Sequence, residues 1–373
     1  MKKILFLIHD LGQGGAERVL VNMVNNMDQR KFDITVQTIF DVGIHRKSLK
    51  PHIRYKSCFK KMVRGNSHLM KLFSPRFLYR TLIREEYDIV VSYLEGPSAR
   101  ILSGCPYPSQ KVCWLHIELN DQKSVAEGFR SYREALDSYG SYDRLVAVSE
   151  TVKQAFCVSS GFEKNRVCVL YNTNESGEIR EKACCPVEDT RFDPEGLTLC
   201  SVAKIMPSKG YDRLARVHKR LLDEGLLHRI YILGEGEQRA EIESYLRANH
   251  LENSFVFLGF QNNPYRYVAR CSLYVCSSLR EGFSTAVTEA LIVGTPAIST
   301  RCSGAEELLG EHNEYGIVTE NSEEGLYLGL KQLLSDPVLL SRYREKARER
   351  GERFDTVETV RAVENMLEEL RSE

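Results

Sequence analysis

Short apolar runs alternate along this chain with longer stretches in which apolar residues recur every three or four positions. The first run is Lys3-Ile4-Leu5-Phe6-Leu7-Ile8, and others follow at 34–40, 89–94, 112–117, 145–148 and 167–171. They are rich in β-branched and aromatic residues, as strands buried on both faces of a parallel sheet are. Helix-compatible segments separate most of them, beginning with 19–27. The second half repeats the alternation at 199–202, 230–233, 255–258, 273–276 and 297–300. An α/β fold with a parallel sheet in each half is therefore predicted. Between the halves, residues 175–195 are polar and interrupted by Cys184-Cys185-Pro186, which reads as a linker. The expected organisation is a domain at 1–175, a linker at 176–196 and a domain at 197–355. A last helix, around 357–370, lies in the segment 356–373.

In open parallel sheets the ligand lies beyond the carboxyl ends of the strands. The residues with the most chemistry fall there. The run at 273–276 enters Ser278-Leu279-Arg280-Glu281-Gly282-Phe283-Ser284-Thr285, and a helix-like run leaves it to stop at Gly294-Thr295-Pro296. Glu281 then lies in the loop and Glu289 about one turn inside the helix. Backbone N–H groups from Gly282 to Ala286 would point outward with the positive end of the helix dipole. That arrangement suits an anion, most simply a diphosphate, with a carboxylate on either side to take hydroxyl hydrogens. Two carboxylates would repel a bare inorganic anion, but they suit phosphates that carry a sugar at each end. For any lone pair of glutamates the competing reading is an ordinary amphipathic helix with a solvated face.

Two more loops fit the same chemistry. After 199–202 comes Ala203-Lys204-Ile205-Met206-Pro207-Ser208-Lys209-Gly210, two lysines at a strand exit with a turn glycine behind them. Lysine pairs in loops are more often solvated surface; the strand exit favours a phosphate role. The first run leads into Gly12-Gln13-Gly14-Gly15-Ala16-Glu17-Arg18 and a helix. Its glycine spacing lacks the third glycine of the dinucleotide fingerprint. It does allow close backbone approach to a ligand at a helix N-terminus.

The stretch 278–291 closely resembles the Glu-x7-Glu signature of family 4 of the retaining GT-B glycosyltransferases. The resemblance implies two Rossmann-like domains facing across a cleft, with a C-terminal helix at 356–373 crossing back to the first domain, Glu281 on the donor sugar and Glu289 on the ribose hydroxyls. Residues 203–210 look like the family's Gly-Arg-Leu-x-x-x-Lys-Gly element, which neutralises the donor diphosphate. Lys209 is in place, but Lys204 stands where arginine is usual and Ala203 where glycine is usual. Lysine is a point charge and cannot make arginine's bidentate fork with phosphate. The Gly-Gly-Ala-Glu-Arg loop is similar to the family's first loop, which implies that Gly14 and Gly15 close on the diphosphate from the other domain. His116, after Lys111-Val112-Cys113-Trp114-Leu115, matches a family histidine near the donor sugar, although most lone histidines at strand ends are structural. The candidate catalytic residues are thus Glu281 and His116. The donor-binding candidates are Lys204, Lys209, Gly282, Phe283, Ser284, Thr285, Glu289, Gly14, Gly15, Gly234 and Gly259, with Gly234-Glu235-Gly236 and Gly259-Phe260 bordering the base.

No Asp-x-Asp pair, Gly-Lys-Ser/Thr loop or His-Glu-x-x-His occurs, so no metal is expected and the lysines and helix amides are left to meet the diphosphate charge. The resemblance implies transfer of a hexose or N-acetylhexosamine from a nucleotide-sugar donor, a UDP-sugar being favoured. The acceptor would be a lipid-linked or growing saccharide in bacterial surface-glycan assembly, and no cofactor is implied. A nucleotide-sugar epimerase on the same fold and a non-catalytic nucleotide-sugar sensor remain alternatives.

Composition adds one feature. The formal net charge is zero, with 51 basic and 51 acidic residues. Residues 1–175 nevertheless hold 26 Lys+Arg against 18 Asp+Glu, a balance of +8 that the remainder cancels. From Arg46 to Arg84 there are 12 basic residues and no acidic ones, interleaved with apolar residues such as Tyr55, Phe59, Phe73 and Phe77. Such a segment at 46–84 reads as a peripheral contact with anionic membrane, each cation contributing roughly 1 kcal/mol. The alternative is a solvated face whose apolar residues enter the core. Nucleic acid is the least favoured partner, because the second half is acidic and carries no nucleic-acid motif. The apolar start is short and broken by His9 and Asp10, and no run is long enough to span a bilayer. Eleven cysteines without CxxC spacing suggest free thiols in a reducing compartment. A cytoplasmic location is expected, with possible attachment to the inner face of the membrane.

Overall fold

The computed structural model describes residues 1–12, 15–61, 70–281 and 283–370. They form two compact units, one of residues 1–174 with 356–373 and the other of 175–355. In the first unit seven parallel strands are arranged β3-β2-β1-β4-β5-β6-β7. They are β1 (Lys2–Ile8), β2 (Phe32–Phe40), β3 (Arg54–Phe59), β4 (Ile89–Ser92), β5 (Gln110–Leu115), β6 (Arg144–Ala147) and β7 (Val167–Val169). In the second unit six parallel strands are arranged β10-β9-β8-β11-β12-β13. They are β8 (Thr198–Val202), β9 (Arg229–Leu233), β10 (Phe255–Gly259), β11 (Leu273–Cys276), β12 (Ala297–Thr300) and β13 (Ile317–Thr319). Each sheet reverses its winding once, between β1 and β4 and between β8 and β11. Those two switch points are where such sheets open a crevice for ligand.

The central strands are the apolar runs of the sequence, and their burial follows from having neighbours on both edges. Ile4 to Ile8, Leu199 and Cys200, and Leu273 to Cys276 are all buried. Two strands escape the hydropathy pattern. β3 is an edge strand of sequence Arg-Tyr-Lys-Ser-Cys-Phe, only partly covered. β13 has three residues and closes the other sheet.

The expected linker needs correcting. Ser176–Cys184 is a helix of the second unit with Ile179 and Ala183 buried. Further on, the ring of Phe192 packs against those of Tyr231 and Tyr267, with centroids 4.8 and 5.2 Å away. These few apolar residues anchor the segment, and a polar average conceals them. The helix Thr356–Glu369 belongs to the first unit, where Lys2 Nζ donates to Leu367 O at 3.0 Å and Asp28 N to Glu364 Oε1 at 2.6 Å.

The basic segment also divides. Arg46 pairs with Asp41, Arg54 with Asp33, and Lys56 with Glu85, so part of it is an ion-paired sheet edge. Beyond it, the helix Pro75–Leu82 begins at the cap Ser74, buries Leu78 and Tyr79, and leaves Arg76, Phe77 and Arg80 exposed with Leu72 and Phe73 before it. The turn at 70–73 is fastened by buried Arg100, which donates to Met70 O and Phe73 O and pairs with Glu134. Residues 62–69, including Arg64, lie outside the described residues. Among the described residues no helix is long and apolar enough to cross a membrane.

Away from its switch point, the second unit buries a histidine pair. His218 Nδ1 lies 2.8 Å from His228 Nε2, His218 Nε2 2.9 Å from Ser254 Oγ, and His228 Nδ1 2.7 Å from Leu226 O. With both rings neutral, one tautomer of each satisfies every one of these atoms. Burial pulls His218 down to about 3 and His228 below its ordinary value. The unfolded chain therefore takes up protons near pH 6.5 that the fold excludes, so stability is fully present above that pH and falls below it. The slope is up to about 1.4 kcal/mol per pH unit for each ring. Urea unfolding of this unit should show His218 alone removing about 2 kcal/mol between pH 7 and pH 5. His218→Gln should flatten that slope while lowering stability at pH 7; an unchanged slope would count against the pair.

Candidate functional site

The loops after β8 and β11 meet at the switch point of the second unit, and their backbones are tied together. Leu279 N donates to Ser208 O at 2.7 Å, and Ser277 Oγ to Lys209 O at 2.8 Å. Gly210 adopts φ 64° at the start of the helix Tyr211–Asp223, and a Cβ there would lie 2.3 Å from Ser277 O. Only glycine combines that dihedral with that approach. One turn on, buried Arg213 donates from Nε and Nη2 to Ser277 O, and from Nη2 to Ser278 O, at 2.6–3.0 Å. Thr300 Oγ1 also donates to Ser278 O, at 2.6 Å.

This framework brings Lys209 and Glu281 together. Lys209 Nζ is 2.7 Å from Glu281 Oε1, and Ser278 Oγ donates to the same oxygen at 2.6 Å. Both donors converge on Oε1; among the described residues none donates to Oε2, which is the oxygen available to a ligand hydroxyl. The helix Thr285–Ile292 starts beside them, capped by Ser284, whose Oγ accepts from Val287 N and whose carbonyl accepts from Thr288 N. The amides of Thr285 and Ala286 have no acceptor within the helix, as expected at a helix start. Glu289 lies on this helix and accepts from Tyr265 Oη at 3.0 Å. Phe283 turns its ring inward, 6.2 Å from that of Phe354, so its side chain anchors the turn and does not line it. Gly282 lies outside the described residues.

The neighbouring loops complete one rim. Ala203 N donates to Leu233 O and Ile205 N to Glu235 O. Gly234 packs so closely that a Cβ would fall 1.9 Å from Ala203 O, and Gly234 N donates to Gly259 O at 2.9 Å. Gly259 has φ 75° and faces Glu235 Oε1, whose carboxylate pairs with Arg239. Lys204 is exposed on this rim and pairs with no carboxylate among the described residues. Lys204, Lys209, Glu281, Ser284, Thr285, Glu289, Gly234 and Gly259 thus gather at the carboxyl ends of β8 to β11.

His116 and Gly15 belong to the first unit. His116 follows β5 with its ring against Tyr93, centroids 4.9 Å apart. Burial pulls the imidazole down to about 3, so it is neutral at pH 7. Its Nε2 is buried without a hydrogen-bond partner among the described residues. Gly15 opens the helix Gly15–Asn26, and Gly14 lies outside the described residues. In the loop before it Asp10 Oδ1 accepts from the amide of Gly12 at 2.7 Å, and in the first turn of the helix burial raises the carboxyl of Glu17. Among the described residues no group of three or more His, Cys, Asp or Glu could hold a metal ion.

Pattern reading missed Arg213, Tyr265 and the role of Ser278. Arg213 follows a turn glycine inside an amphipathic helix, where an arginine normally faces water. Tyr265 is 24 residues from Glu289 and no spacing links them. Chemically, the arrangement offers cations and amides for an anion, flanked by carboxylates for hydroxyls.

Two family models cover most of the chain. One described as Glycosyl transferases group 1 matches residues 187–350, and one described as Glycosyltransferase Family 4 matches residues 13–173. A similar protein is the N-acetylgalactosamine-N,N'-diacetylbacillosaminyl-diphospho-undecaprenol 4-alpha-N-acetylgalactosaminyltransferase of Campylobacter jejuni, 26% identical over 97% of this chain and 98% of that protein. The lipopolysaccharide core biosynthesis glycosyltransferase LpsE of Rhizobium meliloti is 22% identical over 90% of each chain. Among solved structures, HepE of Anabaena in complex with UDP superposes with a TM-score of 0.78 at 18% identity, over 99% of this chain and 100% of that one. The same protein has been solved with UDP-glucose.

Replacing Arg213 with methionine should leave the carbonyls of Ser277 and Ser278 without their charged donor. Urea unfolding should register a loss of about 2–3 kcal/mol. Arg213→Lys should recover only part of it, because one ammonium cannot reproduce the fork.

Proposed function

Because this chain belongs to the family 4 glycosyltransferases of the GT-B fold, we propose that it moves a sugar from a nucleoside diphosphate to a lipid-linked saccharide. The transfer retains the anomeric configuration, needs no divalent ion, and serves assembly of a surface polysaccharide or glycolipid. The observation that carries this reading is the Lys209–Glu281 pair beside the start of the helix Thr285–Ile292, at the switch point of the second sheet. The Campylobacter relative, named for a diphospho-undecaprenol acceptor, supports a polyprenyl-diphosphate saccharide. The HepE complexes support a UDP-sugar donor, and the sugar moved is a hexose or N-acetylhexosamine.

In this mechanism the glycosidic bond to the diphosphate loosens before the acceptor bond is formed, and negative charge grows on the leaving phosphate. Preorganised cations and amides stabilise most where charge develops. Lys204, Lys209 and the amides of Thr285 and Ala286 take that part. Glu281 holds sugar hydroxyls through Oε2, and Glu289, steadied by Tyr265, holds the ribose. A donor phosphate oxygen takes the acceptor proton, so no protein base is required. Peripheral attachment to anionic lipid falls to the exposed face of the helix Pro75–Leu82, where Arg76 and Arg80 flank Phe77.

The deciding measurement is nucleotide release from UDP-, GDP- and ADP-sugars in EDTA, with and without a detergent extract of polyprenyl-linked saccharides. Label entering the lipid fraction establishes the transferase. Conversion of donor without acceptor would instead indicate an epimerase, and binding without turnover a sensor. Glu281→Gln should lower kcat by about 10²-fold or more, and Glu289→Ala should weaken UDP by about tenfold, or 1.4 kcal/mol. Unchanged UDP affinity would remove the ribose role. Reversing the charges of Lys60, Lys61, Arg76 and Arg80 should abolish sedimentation with anionic vesicles; undiminished sedimentation would return the segment to a solvated face.

A further inference from the structure

The first unit holds a carboxylate for which the mechanism above has no use. Glu95 lies three residues beyond β4, on the central strand next to the switch point with β1. The register of β4 with β5 ends at Ser92 opposite Cys113; from there Tyr93-Leu94-Glu95 form the loop and turn after β4, while β5 runs on to Leu115. Glu95 Oε2 accepts from His116 N at 2.9 Å. The turn that carries it is rigid. Gly96 adopts φ 76° and its amide donates to Tyr139 Oη, while Gly128 fits so closely that a Cβ would come 2.7 Å from Pro97 and 2.8 Å from the Gly96 carbonyl carbon. Tyr93 N donates to Leu7 O, which ties the same loop to β1.

The charge around Glu95 does not favour ionisation. No lysine, arginine or histidine pairs with it among the described residues, and Glu127 is the carboxylate that repels it. Burial, with that repulsion, raises it to about 7. Burying an acid without a cation costs free energy. Backbone amides, those of His116 and of Glu95 itself, do not explain the choice, because glutamine would accept the same hydrogen bonds with no ionisable group to desolvate. Groups kept at such a cost beside a ligand crevice are candidates for function.

We propose that Glu95 is the acceptor-binding residue of the first unit, its carboxylate taking the hydrogen of a sugar hydroxyl on the incoming saccharide. The proposal rests on the transferase reading above. A phosphate is excluded as its partner by like charge, and the donor's own hydroxyls are met in the second unit by Glu281 and Glu289. A neutral polyol can supply a donor hydrogen to a lone pair of Glu95 that the backbone amides do not take. Glu95 thereby becomes a specificity determinant: an acceptor sugar lacking that hydroxyl, or presenting an ether in its place, leaves a partly buried carboxylate short of a donor.

The test uses full-length protein, labelled UDP-sugar and the detergent extract of polyprenyl-linked saccharides. Glu95→Gln preserves shape and the bond to His116 N, so a purely structural role predicts wild-type kinetics. The proposal predicts at least a tenfold rise in the extract concentration that half-saturates transfer, with UDP affinity within twofold of wild type and an unchanged melting temperature. Glu95→Asp, with the charge withdrawn by one methylene, should fall between the two. Wild-type saturation by Glu95→Gln overturns the proposal, and so does an equal loss of UDP affinity. Wild-type protein that moves no label into lipid with any donor overturns the transferase reading itself, and this subsite with it.

Discussion

The buried guanidinium of Arg213 is the interaction on which the candidate site depends. It spans two backbone carbonyls of the loop after β11 while rooted in the helix after β8. Lys209 and Glu281 are 72 residues apart in sequence, and only the adjacency of those loops makes them partners. Planar geometry and a permanent charge suit arginine to this role, and burial strengthens each hydrogen bond it makes. Gly210 enables the same junction by leaving room for Ser277 O. With these two residues in place, the positions of a cation, a carboxylate and a helix start become fixed relative to one another by the protein's own contacts.

The Lys209–Glu281 pair offsets the cost of partly burying two opposite charges at the site. A half-buried ammonium and a half-buried carboxylate would each be costly alone, and together they compensate. Ser278 adds a neutral donor to the same oxygen, so the carboxylate stays oriented if the lysine turns toward an incoming anion. Tyr265 does the equivalent for Glu289.

Most of the fold was legible in the sequence because parallel strands with two neighbours must be apolar throughout. Legibility failed where that constraint relaxes. β3 lies at an edge and keeps Arg54 and Lys56, and β13 is too short for a pattern to register. The segment 176–196 looked like a linker because Ile179, Ala183 and Phe192 are few among polar neighbours, although each is buried. In the site, residues that face the crevice had spacing signals: Glu281 and Glu289 lie on either side of a turn, and Lys209 precedes a glycine. Phe283 shared that signal yet serves as an anchor. Glu95 had no signal at all, because one glutamate before Gly-Pro resembles any helix start, and only the fold reveals what it is buried against.

The return of the helix Thr356–Glu369 to the first unit bears on how the protein is made. Val360, Val363, Met366 and Leu367 of that helix are buried, and it packs on the helix Gly15–Asn26, with Lys2 of β1 bonded to its last turn. During synthesis the first unit therefore waits, with an apolar face uncovered, while the whole of 175–355 is translated. Domains usually fold as they emerge, N-terminal first. Here the second unit, continuous in sequence, is the one that can close without delay, and the first is completed by a segment translated after it. An exposed face held open for that interval is a natural client for a chaperone, and a chain stopped near 355 would never lose it.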